Sequence, residues 1–342
     1  MGTMNTNGKL HHAIKRMRMD WSIGPSYAWL DARRLIAQTR HAIDDPRVVA
    51  LNRKRIHRLI EWGLTEFAAP LGRWKDAAET ATPLTPDDKE TIWMVWLQGV
   101  DHIPAKYHPF IESVYRCNRG RTIRILDEQA IKSLIDIPEV IAERYRCGDI
   151  SPVLFTDYVR FALLERYGGI WMDLTLFQLH EPSIDVLDYP TWCIKGLAHF
   201  PYDTAIPDAT QWQSYYVAAQ PHALFCKVVL DLFEYYFSHH TMAFDYFFIY
   251  YLAYFARTIQ SVRQSYDLIP PNNTRCEELL QVVDSNEDPT PELIASSLLD
   301  KDTWIYKGSS HLSEDQSVRC KDVLSKLECM QPRTDQQQEN PS

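Results

Sequence analysis

At 342 residues, with 45% apolar side chains and 41 aromatics, the chain is long enough for one large α/β unit with an appendage and can bury a sizeable core. Its net charge of −9 is unevenly spread: residues 1–75 hold 14 Lys and Arg against 6 Asp and Glu, so the remainder carries −17. An acidic body argues against nucleic acid as the main partner, because phosphate-binding surfaces need a net basic face.

Residues 9–75 read as helices, and 1–75 as a basic helical appendage. Ile56, Leu59, Ile60 and Leu64 make an apolar stripe with Arg53, Lys54, Arg55 and Arg58 mostly off it. That basic face is either ordinary solvated surface or a face that rests on anionic lipid headgroups. Pro83 and Pro86 among threonines and charges mark 76–89 as a linker. From residue 90 the pattern alternates: a strand over 91–97, a helix over 104–117, a strand over 121–126, and one or two helices over 127–147 broken at Pro138. Ser151-Pro152 starts the next helix, since a hydroxyl caps free N–H groups and proline suits the first turn. Gly168-Gly169 stops it and turns the chain into Ile170-Trp171-Met172-Asp173. The order β-α-β-α predicts a mostly parallel sheet with covering helices over 90–320, whose ligands gather at the carboxyl ends of the strands. Residues 244–255 predict a buried aromatic helix, and 321–342 a C-terminal end with a glutamine-rich disordered tail.

Seven scattered cysteines, odd in number and without C-x-x-C, suit a reduced cytoplasmic setting better than a disulfide framework. No apolar run has signal-peptide length near the N-terminus, and 244–256 is too short and too rich in tyrosine to cross a bilayer. On the helix after Ser151, Asp157, Arg160 and Leu164 fall on one stripe, so a carboxylate and a guanidinium sit side by side in an otherwise apolar run. Asp173 and Thr175, if extended, project from one strand face. A charge pair beside an oxygen-bearing strand end outlines a polar ligand site.

These residues carry a family resemblance. Ser151, Asp157-Tyr158-Val159-Arg160, Leu164 and Tyr167-Gly168-Gly169-Ile170-Trp171-Met172-Asp173-Leu174-Thr175 resemble the core motif of the capsular polysaccharide synthesis proteins. Those in turn resemble glycosyltransferase family 32 and the large clostridial glucosylating toxins, sugar transferases of the GT-A fold. Ile92-Trp93-Met94-Val95-Trp96-Leu97-Gln98-Gly99 is similar to the family's first strand, and Asp245-Tyr246-Phe247 and Trp304-Ile305-Tyr306-Lys307 to weaker downstream segments. The likeness spans 91–311, with high specificity in 91–99 and 151–175.

The resemblance implies a GT-A-type α/β fold and transfer from a nucleotide sugar, UDP-linked, to a glycan or lipid-linked acceptor in surface polysaccharide assembly. It further implies retention of configuration, a Mn²⁺ or Mg²⁺ cofactor and a place in the cytoplasm, at most peripheral to the inner face of the membrane. Asp157 and Arg160 would face the donor sugar, the other reading being a salt bridge that links helix to sheet; Trp96 would stack on the base, and Gln98 and Trp171 would complete the nucleotide site. A hard cation suits a departing diphosphate, and Asp173 with Thr175 would hold it in a D-x-T version of the usual D-x-D. A lone strand-end aspartate would otherwise be taken as capping the next turn. Three positions are weaker: Asp245, a catalytic candidate approaching the acceptor or the anomeric carbon, or else capping a helix; Lys307, on a flap over the diphosphate; and His311, as an added metal ligand. Two other readings remain open: a nucleotide-sugar-binding scaffold without catalysis, and a metal-dependent phosphoester hydrolase, for which one sure carboxylate is few.

Overall fold

The computed structural model describes residues 6–85 and 90–330, with side chains from residue 13. Four helices come first: α1 (Thr6–Ile23), α2 (Pro25–Gln38), α3 (Pro46–Glu66) and α4 (Ala68–Trp74). Asp45 caps α3 by accepting from the Arg47 amide, with Pro46 in the first turn. The buried face of α3 is Val48, Asn52, Arg55, Leu59 and Gly63, so the helical period is as expected but the face is rotated. Leu64 lies exposed and Arg55, expected among solvated bases, is buried. A Cβ on Gly63 would collide with the Phe255 ring, which is how closely this helix approaches the body.

Residues 76–85, the described part of the expected linker, run against the body. Glu79 accepts from the Leu224 amide and the Ser265 hydroxyl, and the Thr82 amide donates to the Pro221 carbonyl. Residues 86–89 lie outside the described residues.

The alternating part follows with β1 (Thr91–Val95), α5 (His108–Cys117), β2 (Thr122–Leu126), α6 (Glu128–Leu134), α7 (Glu139–Arg146), α8 (Pro152–Tyr167) and β3 (Gly169–Met172). The remaining elements are β4 (Leu176–Gln178), β5 (Thr191–Cys193), β6 (Tyr216–Ala219), α9 (Leu224–His239), α10 (Phe248–Ala256), α11 (Gln260–Asp267), α12 (Glu278–Asp284), α13 (Pro291–Leu298), β7 (Ile305–Lys307) and α14 (Glu314–Cys329). The central sheet has the order β2-β1-β3-β6-β5, with β1 parallel to both neighbours and β6 antiparallel to β3 and β5. The expected α/β architecture, a mostly parallel sheet under covering helices behind a helical N-terminal part, is what the chain adopts.

Residue-level differences have local causes. α5 begins at His108, because Pro104 and the tight turn at 105–107 hold the chain out of the helix. The buried aromatic helix begins at Phe248, after a turn at 244–247. Ser151 caps α8 at 3.2 Å from the Leu154 amide, and Gly168 and Gly169 both take positive φ (66° and 97°). At either glycine a Cβ would strike backbone, the Pro221 nitrogen or the Thr91 carbonyl oxygen, so this turn can be made only with glycine.

A short second sheet pairs β4 with β7 and nucleates a smaller apolar cluster with α12, α13 and α14. Residues 321–329 of the C-terminal end belong to α14, and Val323, Leu324 and Leu327 are buried in that cluster. The glutamine-rich residues 331–342 lie outside the described residues. No described helix is long and apolar enough to cross a membrane.

Candidate functional site

The parallel pairing of β1 with β3 puts the residues that follow both strands on one sheet edge. Asp173 follows β3 directly, its amide donating to the Tyr215 carbonyl at 3.0 Å. Its Oδ1 accepts from Trp171 Nε1 at 2.9 Å and from the Arg160 guanidinium at 3.4 Å. Arg160 also donates to Asp157 Oδ1 at 2.5 Å, and its guanidinium lies 4.7 Å from the centre of the Trp171 ring. One cation is thus shared by two carboxylates, on side chains 5% (Arg160), 14% (Asp157) and 32% (Asp173) exposed.

The trio has an excess negative charge. Burial pushes the Asp157 carboxyl up to about 6; Arg160 opposes the shift and the neighbouring Asp173 adds to it. Arg160 Nε is buried with no hydrogen-bond partner, so the guanidinium keeps unmet donor capacity. Trp171, expected against the nucleotide, is 2% exposed and instead orients Asp173 through its indole N–H.

Asp173 and Thr175 do not share a strand face. β3 ends at Met172 and the chain turns, with the Leu176 amide bonded to the Asp173 carbonyl at 3.0 Å, so the alternation of an extended strand does not apply. Thr175 Oγ1 accepts from Lys307 Nζ at 2.5 Å, so an ammonium engages the hydroxyl that was expected to ligate a metal. Lys307 lies 5.4 Å from the Tyr215 ring centre, its amide bonded to the Cys276 carbonyl. The neighbouring Glu277, 4% exposed, has its carboxyl raised by burial, with Lys307 the chief opposing charge.

His311 is exposed, fixed by its amide to Ser309 Oγ, and Lys106 Nζ donates to the Ser310 carbonyl. That bond joins the 307–311 loop to the segment after β1. Among the described residues no three His, Cys, Asp or Glu side chains converge as a metal cluster. Of the three residues expected to hold a cation, Asp173 is a partly exposed carboxylate, Thr175 is engaged by Lys307 and His311 is exposed.

Trp96 follows β1, half-buried, with its ring centre 5.4 Å from that of Tyr107 and its indole N–H unpartnered. Trp93, three residues back, is core and donates to the Gly168 carbonyl. Gln98 is exposed in the turn beyond Trp96. Asp245 is buried and engaged by the N-terminal helices. Its carboxylate pairs with Arg55 of α3 and accepts from the Phe247 amide at 2.6 Å, and Arg55 also bonds Asp31 at 2.9 Å. The carboxylate expected near an acceptor is therefore a buried tie to the N-terminal helices.

Tyr215 and Glu277 escaped the sequence reading. Tyr215 sits before a short apolar strand and Glu277 before a helix, positions in which both residue types are ordinary, and no motif flags either.

A family model described as capsular polysaccharide synthesis protein matches residues 73–326. Glycosyltransferase afumC of Aspergillus fumigatus is 26% identical over 132 residues, 36% of this chain and 32% of its own, so the chain spans about a third of that relative's length. A solved structure, PaToxG Glycosyltransferase, aligns over 82% of this chain and 97% of its own at 11% identity and a TM-score of 0.34. With about three-quarters of its length matched by the family model, the chain belongs to the capsular polysaccharide synthesis protein family.

Proposed function

We propose that the protein is a GT-A-type glycosyltransferase that moves a sugar from a nucleoside-diphosphate donor, UDP-linked, with retention, to a glycan or lipid-linked acceptor in surface polysaccharide assembly. The observation that carries this reading is Arg160 held between Asp157 and Asp173 at the carboxyl edge of the sheet, the edge at which Trp96 follows the parallel strand β1. A carboxylate accepts from vicinal sugar hydroxyls, and the guanidinium beside it donates while balancing the charge. Lys307 offers a second positive group for the diphosphate. A Mn²⁺ or Mg²⁺ ion held by Asp173 and the donor's own phosphates would stabilise the departing diphosphate. Screening nucleotide sugars for thermal stabilisation and slow hydrolysis across a Mn²⁺ series tests the proposal. The ammonium at Thr175 gives the binding-only reading its one support; stabilisation without hydrolysis by any donor would favour that reading.

Replacing Trp96 by alanine is expected to weaken UDP binding about tenfold to a hundredfold, since base stacking is worth on the order of 1–3 kcal/mol. Trp93→Phe, in the core, should change it little. Isothermal titration with UDP decides, and equal affinities for Trp96→Ala and wild type would remove Trp96 from the site.

Asp157 also sets a pH dependence. Its carboxyl is raised from 3.8 to about 6, so the stability contributed by its proton is complete below about pH 4 and is lost as pH rises through 6. Only the ionised form accepts fully from a sugar, so kcat/KM for donor hydrolysis should fall below about pH 6. Asp157→Asn should be slower and lack that limb; the same limb in the variant would assign it elsewhere. Asp20 is raised to a similar value, so a stability profile mixes the two groups whereas the activity profile separates them.

The N-terminal helices give the membrane part of the reading a surface. Trp21, Trp29, Met17 and Ile36 are each more than half exposed, and Arg18, Arg33 and Arg40 lie exposed among them. Trp29, Arg33 and Ile36 follow helical spacing on α2, and the Arg33 guanidinium sits 4.6 Å from the Trp29 ring centre. Interfacial tryptophans flanked by arginines suit an anionic headgroup layer. Co-sedimentation with phosphatidylserine vesicles is expected at low salt, weaker at high salt and in Trp21→Ala/Trp29→Ala. No sedimentation of the wild type at low salt sinks the contact.

A further inference from the structure

Tyr246 is 81% exposed, more than any other large hydrophobic side chain among the described residues, although Asp245 before it is 4% exposed and Phe248 fully buried. It is not isolated. Its ring centre lies 5.0 Å from that of Phe247 at 87°, Phe247 lies 5.2 Å from Tyr202, and Tyr202 lies 5.9 Å from Phe200. Phe247 also touches Tyr250 at 5.8 Å, and Tyr250 donates to Gln213 at 3.0 Å just before Tyr215 in the chain. The rings form a shelf that runs from solvent at Tyr246 to the buried Tyr250, whose partner Gln213 stands two residues before Tyr215, the residue that accepts from the Asp173 amide.

The shelf is held in place at some cost. Asp245 Oδ1 fixes the turn through the Phe247 amide, and its other oxygen is paired with Arg55, which is in turn bonded to Asp31. Burying three ionised groups is expensive unless geometry demands it. A loop so anchored presents Tyr246 in one orientation, so the exposed ring is preorganised. The Tyr246 phenol is raised by partial desolvation, then by Tyr202 and by the Asp157 carboxylate.

We propose that Tyr246, Phe247 and Tyr202 form the acceptor subsite, on which the C–H face of a pyranose ring stacks while its hydroxyls turn toward Asp157. An aromatic face is electron-rich and prefers polarised C–H or cationic partners. A carboxylate such as Asp157 suits hydroxyls and disfavours a hydrocarbon chain. The inference rests on the reading of Asp157, Arg160 and Asp173 as the donor side, with the acceptor entering from the aromatic side.

Saturation-transfer NMR on the full chain tests it with methyl glycosides of glucose, galactose and mannose, and with UDP read in a separate sample. At least one glycoside is expected to receive saturation on its ring C–H protons, with the signal kept in Tyr246→Phe and reduced at least fivefold in Tyr246→Ala. Because Tyr246 is exposed, the alanine variant should fold, and its melting temperature checks this. No saturation of any glycoside by the wild type, or equal saturation in wild type and Tyr246→Ala, overturns the subsite. The UDP sample keeps the two ideas apart. Tyr246-dependent glycoside signals without UDP binding uphold the sugar shelf and sink the nucleotide reading; UDP binding with a glycoside signal indifferent to Tyr246 does the reverse.

Discussion

Asp173→Asn is expected to lower donor hydrolysis about 100- to 1000-fold, roughly 3–4 kcal/mol of transition-state stabilisation, while the fold survives. The carboxylate is partly exposed, and asparagine retains an oxygen that can accept from Trp171 and Arg160, so melting temperature should move little. What disappears is the charge. With it goes the hold on a cation, together with one of the two anions that share Arg160. The loss should show as a Mn²⁺ dependence that flattens or shifts to much higher concentration. A second effect follows from the same geometry: Asp173 helps to raise Asp157, so removing its charge should move the acid limb of the residual activity to lower pH. Full activity in Asp173→Asn, with or without metal, would end the reading in which this residue holds the leaving group's counter-ion.

Legibility in the sequence followed locality. Asp157 and Arg160 stand three apart on one helix, a separation that fixes their contact whatever surrounds them, and the pair is found as read. Gly168 and Gly169 were equally legible, because a positive φ in a crowded turn leaves few alternatives to glycine. Thr175 was misplaced for want of one fact: the strand ends at Met172. Strand ends depend on partners, and it is β7, more than a hundred residues later, that bends the chain into the second sheet and brings Lys307 to Thr175. Tyr215 reaches the site by the same long-range pairing, through β6 against β3. Arg55 shows the limit of the hydrophobic period. A buried arginine is invisible to a pattern that sorts residues by polarity, since the two aspartates that make its burial tolerable come from other elements.

That arrangement makes Arg55→Met the strongest expected destabiliser. The substitution keeps an apolar stem of similar length but leaves Asp245 without its cation and deprives Asp31 of one of its partners, Arg34 remaining at 2.7 Å. Breaking a buried pair from one side costs about 3–5 kcal/mol, because the surviving charge has lost its compensation. At roughly 2–4 °C per kcal/mol, the melting temperature should fall by about 6–20 °C. The double variant Arg55→Met/Asp245→Asn separates this cost from simple loss of packing. Asparagine keeps the oxygen that accepts from the Phe247 amide and carries no charge to strand, so the double should recover most of the loss and melt above the Arg55 single. A double variant no more stable than Arg55→Met would mean that the arginine acts through its packing against Tyr27, and that the charge network is incidental to how the N-terminal helices hold the 243–247 loop.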